Sequence, residues 1–146
     1  MFVPEFQPYF IFTFIFAFMS ISRPTDAELE ILHLLWELGP STVRTVNDRM
    51  SQRRELGYTT TLKMMQIMFE KGLVTRVEEG RMHLYTAAVA QSDTQSLLLQ
   101  QFVDNAFRGS ASKMVLQALG NHEASAAELD EIKALIAQLE QNQSKP

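Results

Sequence analysis

The stretch YTTTLKMMQIMFEKGLV, residues 58–74, carries the most suggestive set of hydrogen-bonding side chains in the sequence. Apolar residues recur at Leu62, Met65, Met68 and Phe69, the spacing of one helical face, and Lys71-Gly72 closes the run as a C-terminal stop. On such a helix Lys63 and Gln66 share the outward face. A glutamine holds adenine through two hydrogen bonds, and a lysine reaches guanine or a phosphate. Three consecutive threonines are mediocre helix formers, so their place at the start asks for a reason. One of Thr59 and Thr60 is expected as the N-cap, and both hydroxyls suit phosphate oxygens or base edges. Thr61, in step with Met65 and Met68, is expected to pack inward. The plainer alternative is that the threonines only cap and that Lys63 and Gln66 are only solvated.

Charge favours the first reading. The chain of 146 residues has a formal net charge of −4. From Ser41 to Arg76, however, seven cations (Arg44, Arg49, Arg53, Arg54, Lys63, Lys71, Arg76) face three acids (Asp48, Glu55, Glu70), a local net of +4. From Gln91 onward the balance is −3. The helix therefore sits in a basic island. Arg44, Arg49, Arg53 and Arg54 can neutralise phosphates, a contribution that ignores base sequence and weakens with salt.

Other chemistry finds little support. With no cysteine, disulfides, thiol catalysis, thiolate metal sites and cysteine redox sensing are all excluded, and the composition fits a reducing, cytoplasmic setting. Ser110-Ala-Ser-Lys113 matches the S-x-x-K of serine β-lactamases and penicillin-binding proteins, but the companion SDN and KTG motifs are missing and the chain is far too short for that fold. His33 falls within the apolar face of the first helix, His83 on a strand and His122 near a turn, with no metal-ligand spacing among them. There is no phosphate-binding glycine loop. Neither an enzyme nor a cofactor, metal or small-molecule substrate is expected.

The elements that must position these side chains follow from pattern. Thr25-Asp-Ala-Glu28 is a capping box, opening a helix with Leu29, Ile31, Leu32, Leu35 and Trp36 inward and Gly39-Pro40 as its stop. Ser41 or Thr42 caps a second helix containing Val43, Val46 and Met50. After Gly72, LVTRVEEGRMHLYTA alternates about Glu79-Gly80, the mark of a hairpin with its tip at Glu78–Arg81. Arg81 at that tip is placed to meet a nucleic-acid backbone or minor groove. Three helices and a hairpin give the order of a winged helix-turn-helix.

Beyond Ala90 the helical period returns. Phe102, Val103, Phe107, Met114, Leu116 and Leu119 lie on broad apolar faces. A second capping box, Ser125-Ala-Ala-Glu128, introduces Leu129, Ile132, Leu135, Ile136 and Leu139 with heptad-like spacing. So few turns cannot wrap so much apolar surface, and pairing with a second copy is favoured over folding back on the first domain. The expected fold class is mostly α with a small β hairpin. An N-terminal extension (1–22) precedes a winged-helix DNA-binding domain (23–90) and a C-terminal helical dimerisation region (91–146). The apolar run Tyr9–Met19, 11 residues, is shorter than the roughly 20 that span a bilayer and has no basic residue before it. Residues 1–18 are expected to precede a native start at Met19; the alternative is a membrane-touching or partner-binding tail.

Four segments in order, PTDAELEILHLLWELGPSTVRTVNDRM, YTTTLKMMQIMFEKGLV, EEGRMHLY and FVDNAFRGSASKMVLQAL, resemble the penicillinase-repressor family of BlaI, MecI and CopY type, from about Pro24 to Leu139. The resemblance implies a winged-helix repressor that dimerises through its C-terminal helices and binds operator palindromes in double-stranded DNA. In antibiotic-resistance members it also implies a membrane-bound sensor-protease upstream and cleavage of the repressor in its dimerisation region. The sequence departs from the family in three places. The Asn-Phe bond cut in staphylococcal members is replaced, by register, by Gln117-Ala118. The cysteine cluster of copper-responsive members is absent. Ile67 and Phe69 are apolar where many relatives are polar, and each either packs against the wing or touches a thymine methyl. The class-different alternative is a winged-helix module that binds protein, or a membrane-tethered adaptor using residues 1–18.

Overall fold

A computed structural model of the chain describes residues 22–144. The apolar run before Ser20 and the expected start at Met19 lie outside the described residues.

Helix α1, Asp26–Leu38, begins at the expected capping box: Thr25 Oγ1 accepts the Glu28 N–H at 3.3 Å, and the Glu28 carboxylate accepts the Thr25 N–H at 2.8 Å. It stops at Gly39, whose φ of +75° a side chain would resist. Helix α2, Val43–Ser51, is capped by Thr42, which accepts the Thr45 N–H at 3.2 Å. Helix α3, Tyr58–Glu70, departs from expectation at its start. Its N-cap is Gly57, which has no side chain to offer, so neither Thr59 nor Thr60 caps; both lie exposed in the first turn. Thr61 does face inward and is fully buried, its hydroxyl accepting a 2.9 Å hydrogen bond from Asn47 Nδ2 on α2. The same amide donates to the Leu56 carbonyl at 2.9 Å, tying the connecting turn to both helices.

Strands β1 (Val74–Glu79) and β2 (Met82–Ala87) form an antiparallel hairpin whose last pair, Glu79 with Met82, leaves Gly80 and Arg81 as the turn. Gly80, at φ +63°, supplies the left-handed residue such a tight turn needs. Ser41 and Tyr85 exchange two backbone hydrogen bonds of 2.9 Å, fastening the start of α2 to the hairpin. The core they enclose joins Ile31, Leu32 and Leu35 of α1, Val43, Val46 and Met50 of α2, Met65 and Met68 of α3, and Leu73, Val74 and Tyr85. Leu62 is only partly buried against it. Phe69, placed inward by periodicity, lies at the flank, with the Arg76 guanidinium of β1 over its ring at 4.3 Å. His33 is likewise not in the apolar face; it is exposed and meets Trp36 edge-to-face at 5.3 Å. The Trp36 indole N–H donates to the Val89 carbonyl at 2.9 Å.

Two ion pairs bind α1 to the rest of this unit. Lys71, after α3, reaches the buried Glu28 at 2.6 Å, and Arg54 reaches Glu30 at 3.0 Å.

The chain divides into two compact units, one through Leu98 and one from Leu99. Helix α4, Gln91–Phe107, is followed by α5, Ala111–Asn121, and α6, Ala126–Gln143. Ser110, the serine of the S-x-x-K match, caps α5 by accepting the Lys113 N–H at 3.4 Å. Ser125 and Glu128 form the second capping box, at α6. Phe102 and Phe107 meet edge-to-face at 5.6 Å. Val103 is buried within the single chain, so its side chain is already covered; Phe107, Met114 and Ile132 are half-buried. Phe102, Leu116, Leu119, Leu129, Leu135, Ile136 and Leu139 are exposed. The described chain is thus mostly helical with one two-stranded hairpin.

Candidate nucleic-acid interface

Burial of Thr61, Met65 and Met68 fixes the rotation of α3. Thr59, Thr60, Lys63 and Gln66 consequently stand together on its exposed side, joined by Ile67 at 40 % exposure. Unlike Phe69, Ile67 makes no aromatic or cationic stack with the wing; it belongs to the polar face.

The basic island does not form one surface. Arg44, in the first turn of α2, and Arg81, at the hairpin tip, line one crevice together with Thr42, Tyr58, His83 and Tyr85. Arg49 and Arg53 line a different groove, where α1 contributes Asp26, Glu30 and Glu37. Arg54 is paired with Glu30, and Lys71 with Glu28. In Coulombic terms the cations around the α1–α2 groove have carboxylates for neighbours, whereas Arg44, Lys63 and Arg81 have no ion-pair partner among the described residues. The face suited to a polyanion is therefore the outward side of α3, the start of α2 and the wing.

Tyr58 and His83 belong to this region although the sequence alone did not single them out for it. Tyr58 opens α3 and is 48 % exposed, high for a large aromatic ring. Its position next to the threonines was the available signal. His83 lies two residues after Arg81, on β2, and no sequence rule brings that strand to the helix start. Among the described residues, no group of three His, Asp or Glu side chains is arranged to hold a metal ion, and no helix is long and apolar enough to cross a membrane.

A family model described as Penicillinase repressor matches residues 24–138. The chain is 30 % identical over 126 residues to the transcriptional regulator BlaI of Mycobacterium tuberculosis, covering 83 % of this chain and 88 % of that protein. It is 26 % identical over 117 residues to the penicillinase repressor of Bacillus licheniformis, covering 80 % and 91 %. Among solved structures, the DNA binding domain of the repressor BlaI aligns at 27 % identity, with a TM-score of 0.46, over 50 % of this chain and 89 % of that domain. With the family model spanning its two helix-turn-helix helices, its wing and most of its C-terminal helices, the chain belongs to the penicillinase repressor family.

Proposed function

We propose that this chain is a DNA-binding transcriptional repressor that reads an operator palindrome as a homodimer. The observations that support the reading are the exposed first turns of α3 with Lys63 and Gln66, and the crevice at the helix starts that Arg44 and Arg81 line without an ion-pair partner among the described residues. Membership of a family whose relatives are a repressor and a transcriptional regulator supports it. Lys63 and Gln66, with Thr59 and Thr60 nearer the helix start, read base edges in the major groove, while Arg44 and Arg81 hold the backbone. Arg49, Arg53 and Arg54 add a diffuse attraction, reduced by the acids beside them. Residues 23–90 form the DNA-binding part and 91–146 the dimerisation part. There, exposed Phe102, Leu116, Leu119, Leu129, Leu135, Ile136 and Leu139, with the partly covered Phe107, Met114 and Ile132, supply the apolar surface a second copy covers. The chain acts by occupancy and not by catalysis, in the cytoplasm where its operator lies. Release after an upstream signal, by cleavage in the dimerisation region, belongs to the same reading; Gln117 and Ala118 are exposed on α5.

Binding isotherms of the chain on its own upstream promoter DNA, at two salt concentrations and against a scrambled duplex, test the reading. Tight, salt-sensitive binding with a large preference for the promoter is expected, and a Lys63→Ala, Gln66→Ala double variant should lose most of that preference. Weak binding without preference would overturn it in favour of a protein-binding module.

A further inference from the structure

We infer that the crevice between the wing and the starts of α2 and α3 seats one backbone phosphate of the bound DNA, with Tyr58 and His83 as further hydrogen-bond donors beside Arg44 and Arg81. The inference rests on the DNA-binding reading above and adds to it a discrete subsite with two further ligands.

The walls come from three places in the sequence that folding brings together: Thr42 and Arg44, Tyr58, and the wing segment from Arg81 to Tyr85. No carboxylate lines the crevice, although the chain carries 17 acids and the α1–α2 groove holds several of them. The two helices that border it present their N-terminal ends, which adds partial positive charge. Neither arginine has an ion-pair partner among the described residues. A phosphodiester is a monoanion with two free oxygens, whose charge two guanidinium groups more than neutralise and whose lone pairs four donor groups can satisfy.

The two further donors follow from what their polar atoms lack. The Tyr58 hydroxyl has no hydrogen bond among the described residues, and the ring is held half out of the protein at the crevice edge. His83 Nδ1 is buried without a partner, which leaves Nε2 as the nitrogen open to a ligand. Around this imidazole stand Glu78, opposite it across the hairpin, Tyr85 edge-to-face at 6.4 Å, and the crevice residues already named.

The uncharged Tyr58 hydroxyl strengthens binding without displacing counterions, and this separates it experimentally from the arginines. On the promoter fragment, Tyr58→Phe and His83→Phe should each weaken binding about fivefold, and Tyr58→Phe should leave the slope of log K against log salt unchanged. Arg44→Ala and Arg81→Ala should each reduce that slope, and because they share one phosphate the double variant should lose only about one per protomer. The locating measurement is a scan of single methylphosphonate substitutions, each removing one backbone charge. In the wild type, one position per half-site should cost about tenfold in affinity, and in Tyr58→Phe the penalty at that position alone should fall to about twofold. Retained Trp36 fluorescence and far-UV circular dichroism would establish that each variant folds. A wild type with promoter preference, but the same methylphosphonate profile in both backgrounds, overturns the phosphate seat alone. A wild type without promoter preference overturns the DNA-binding reading itself.

Discussion

Thr61 shows what one residue contributes to the placement of a recognition surface. Its buried hydroxyl receives one hydrogen of the Asn47 amide, whose other bond goes to Leu56, so a single polar triangle sets the approach of α3 to α2. Valine has nearly the same shape but leaves the buried donor without its acceptor. Thr61→Val should cost about 1–2 kcal/mol, and a thermal melt should show the first unit unfolding several degrees lower. The Thr59-Thr60-Thr61 run also marks the limit of reading at this scale. Period alone placed Thr61 inward, because burial follows the apolar face it shares with Met65 and Met68. The N-cap was not legible: Thr59 and Thr60 are good caps in isolation, but the backbone turns into the helix earlier, at Gly57, and neither threonine caps it. Tyr58 and His83 stayed invisible as partners because their meeting depends on how the hairpin packs beside the helices, not on any local pattern.

Among the elements, helix starts were the most legible feature. Both capping boxes, at Thr25 and at Ser125, form as written, because a box needs only residues three apart in sequence. The hairpin was legible for a similar reason: two short β-prone runs flank a glycine, and Gly80 supplies the turn between the paired Glu79 and Met82. The α6 box adds a pH dependence. Hydrogen bonds to the Glu128 carboxylate, first from the Ser125 backbone N–H and then from its hydroxyl, hold that carboxyl below its ordinary value, with a smaller contribution from His122 against a small opposing one from desolvation. A carboxyl that is more acidic in the formed helix than in the frayed one stabilises the helix above the ordinary carboxylate range. That support is lost as pH falls through the depressed value. The protection of the Ser125 amide, its exchange rate taken relative to the intrinsic rate at each pH, should therefore fall as the solution is acidified through the carboxylate range, and Glu128→Ala should lack that protection at every pH. An Asp26 or Glu131 neutralisation, made as a control, should leave the trend in place.

For the molecule as a whole, a linear charge count overstated the surface it described. The net of +4 between Ser41 and Arg76 is real, but Lys71 and Arg54 are answered by Glu28 and Glu30 from a helix outside that window. No sequence pattern announces a pair separated by 43 residues. The salt slope of DNA binding should accordingly report fewer neutralised phosphates per protomer than the seven cations of the island. Assembly was legible as an apolar surplus beyond Ala90, and the exposed Leu135, Ile136 and Leu139 carry that surplus into the structure. Ile136→Glu, at a 50 % exposed position where one chain gains nothing from the isoleucine, should leave each chain folded. Sedimentation should then show a monomer, and affinity for a two-half-site operator should fall more than tenfold while half-site binding persists. The single tryptophan of the sequence, Trp36, adds an optical consequence. Its indole is hydrogen-bonded to Val89 and lies wholly within the first unit. Its emission is thus a built-in lamp for the winged helix alone: comparing its melting curve with the loss of total helix distinguishes one cooperative protein from two units that unfold on separate schedules, with no label attached.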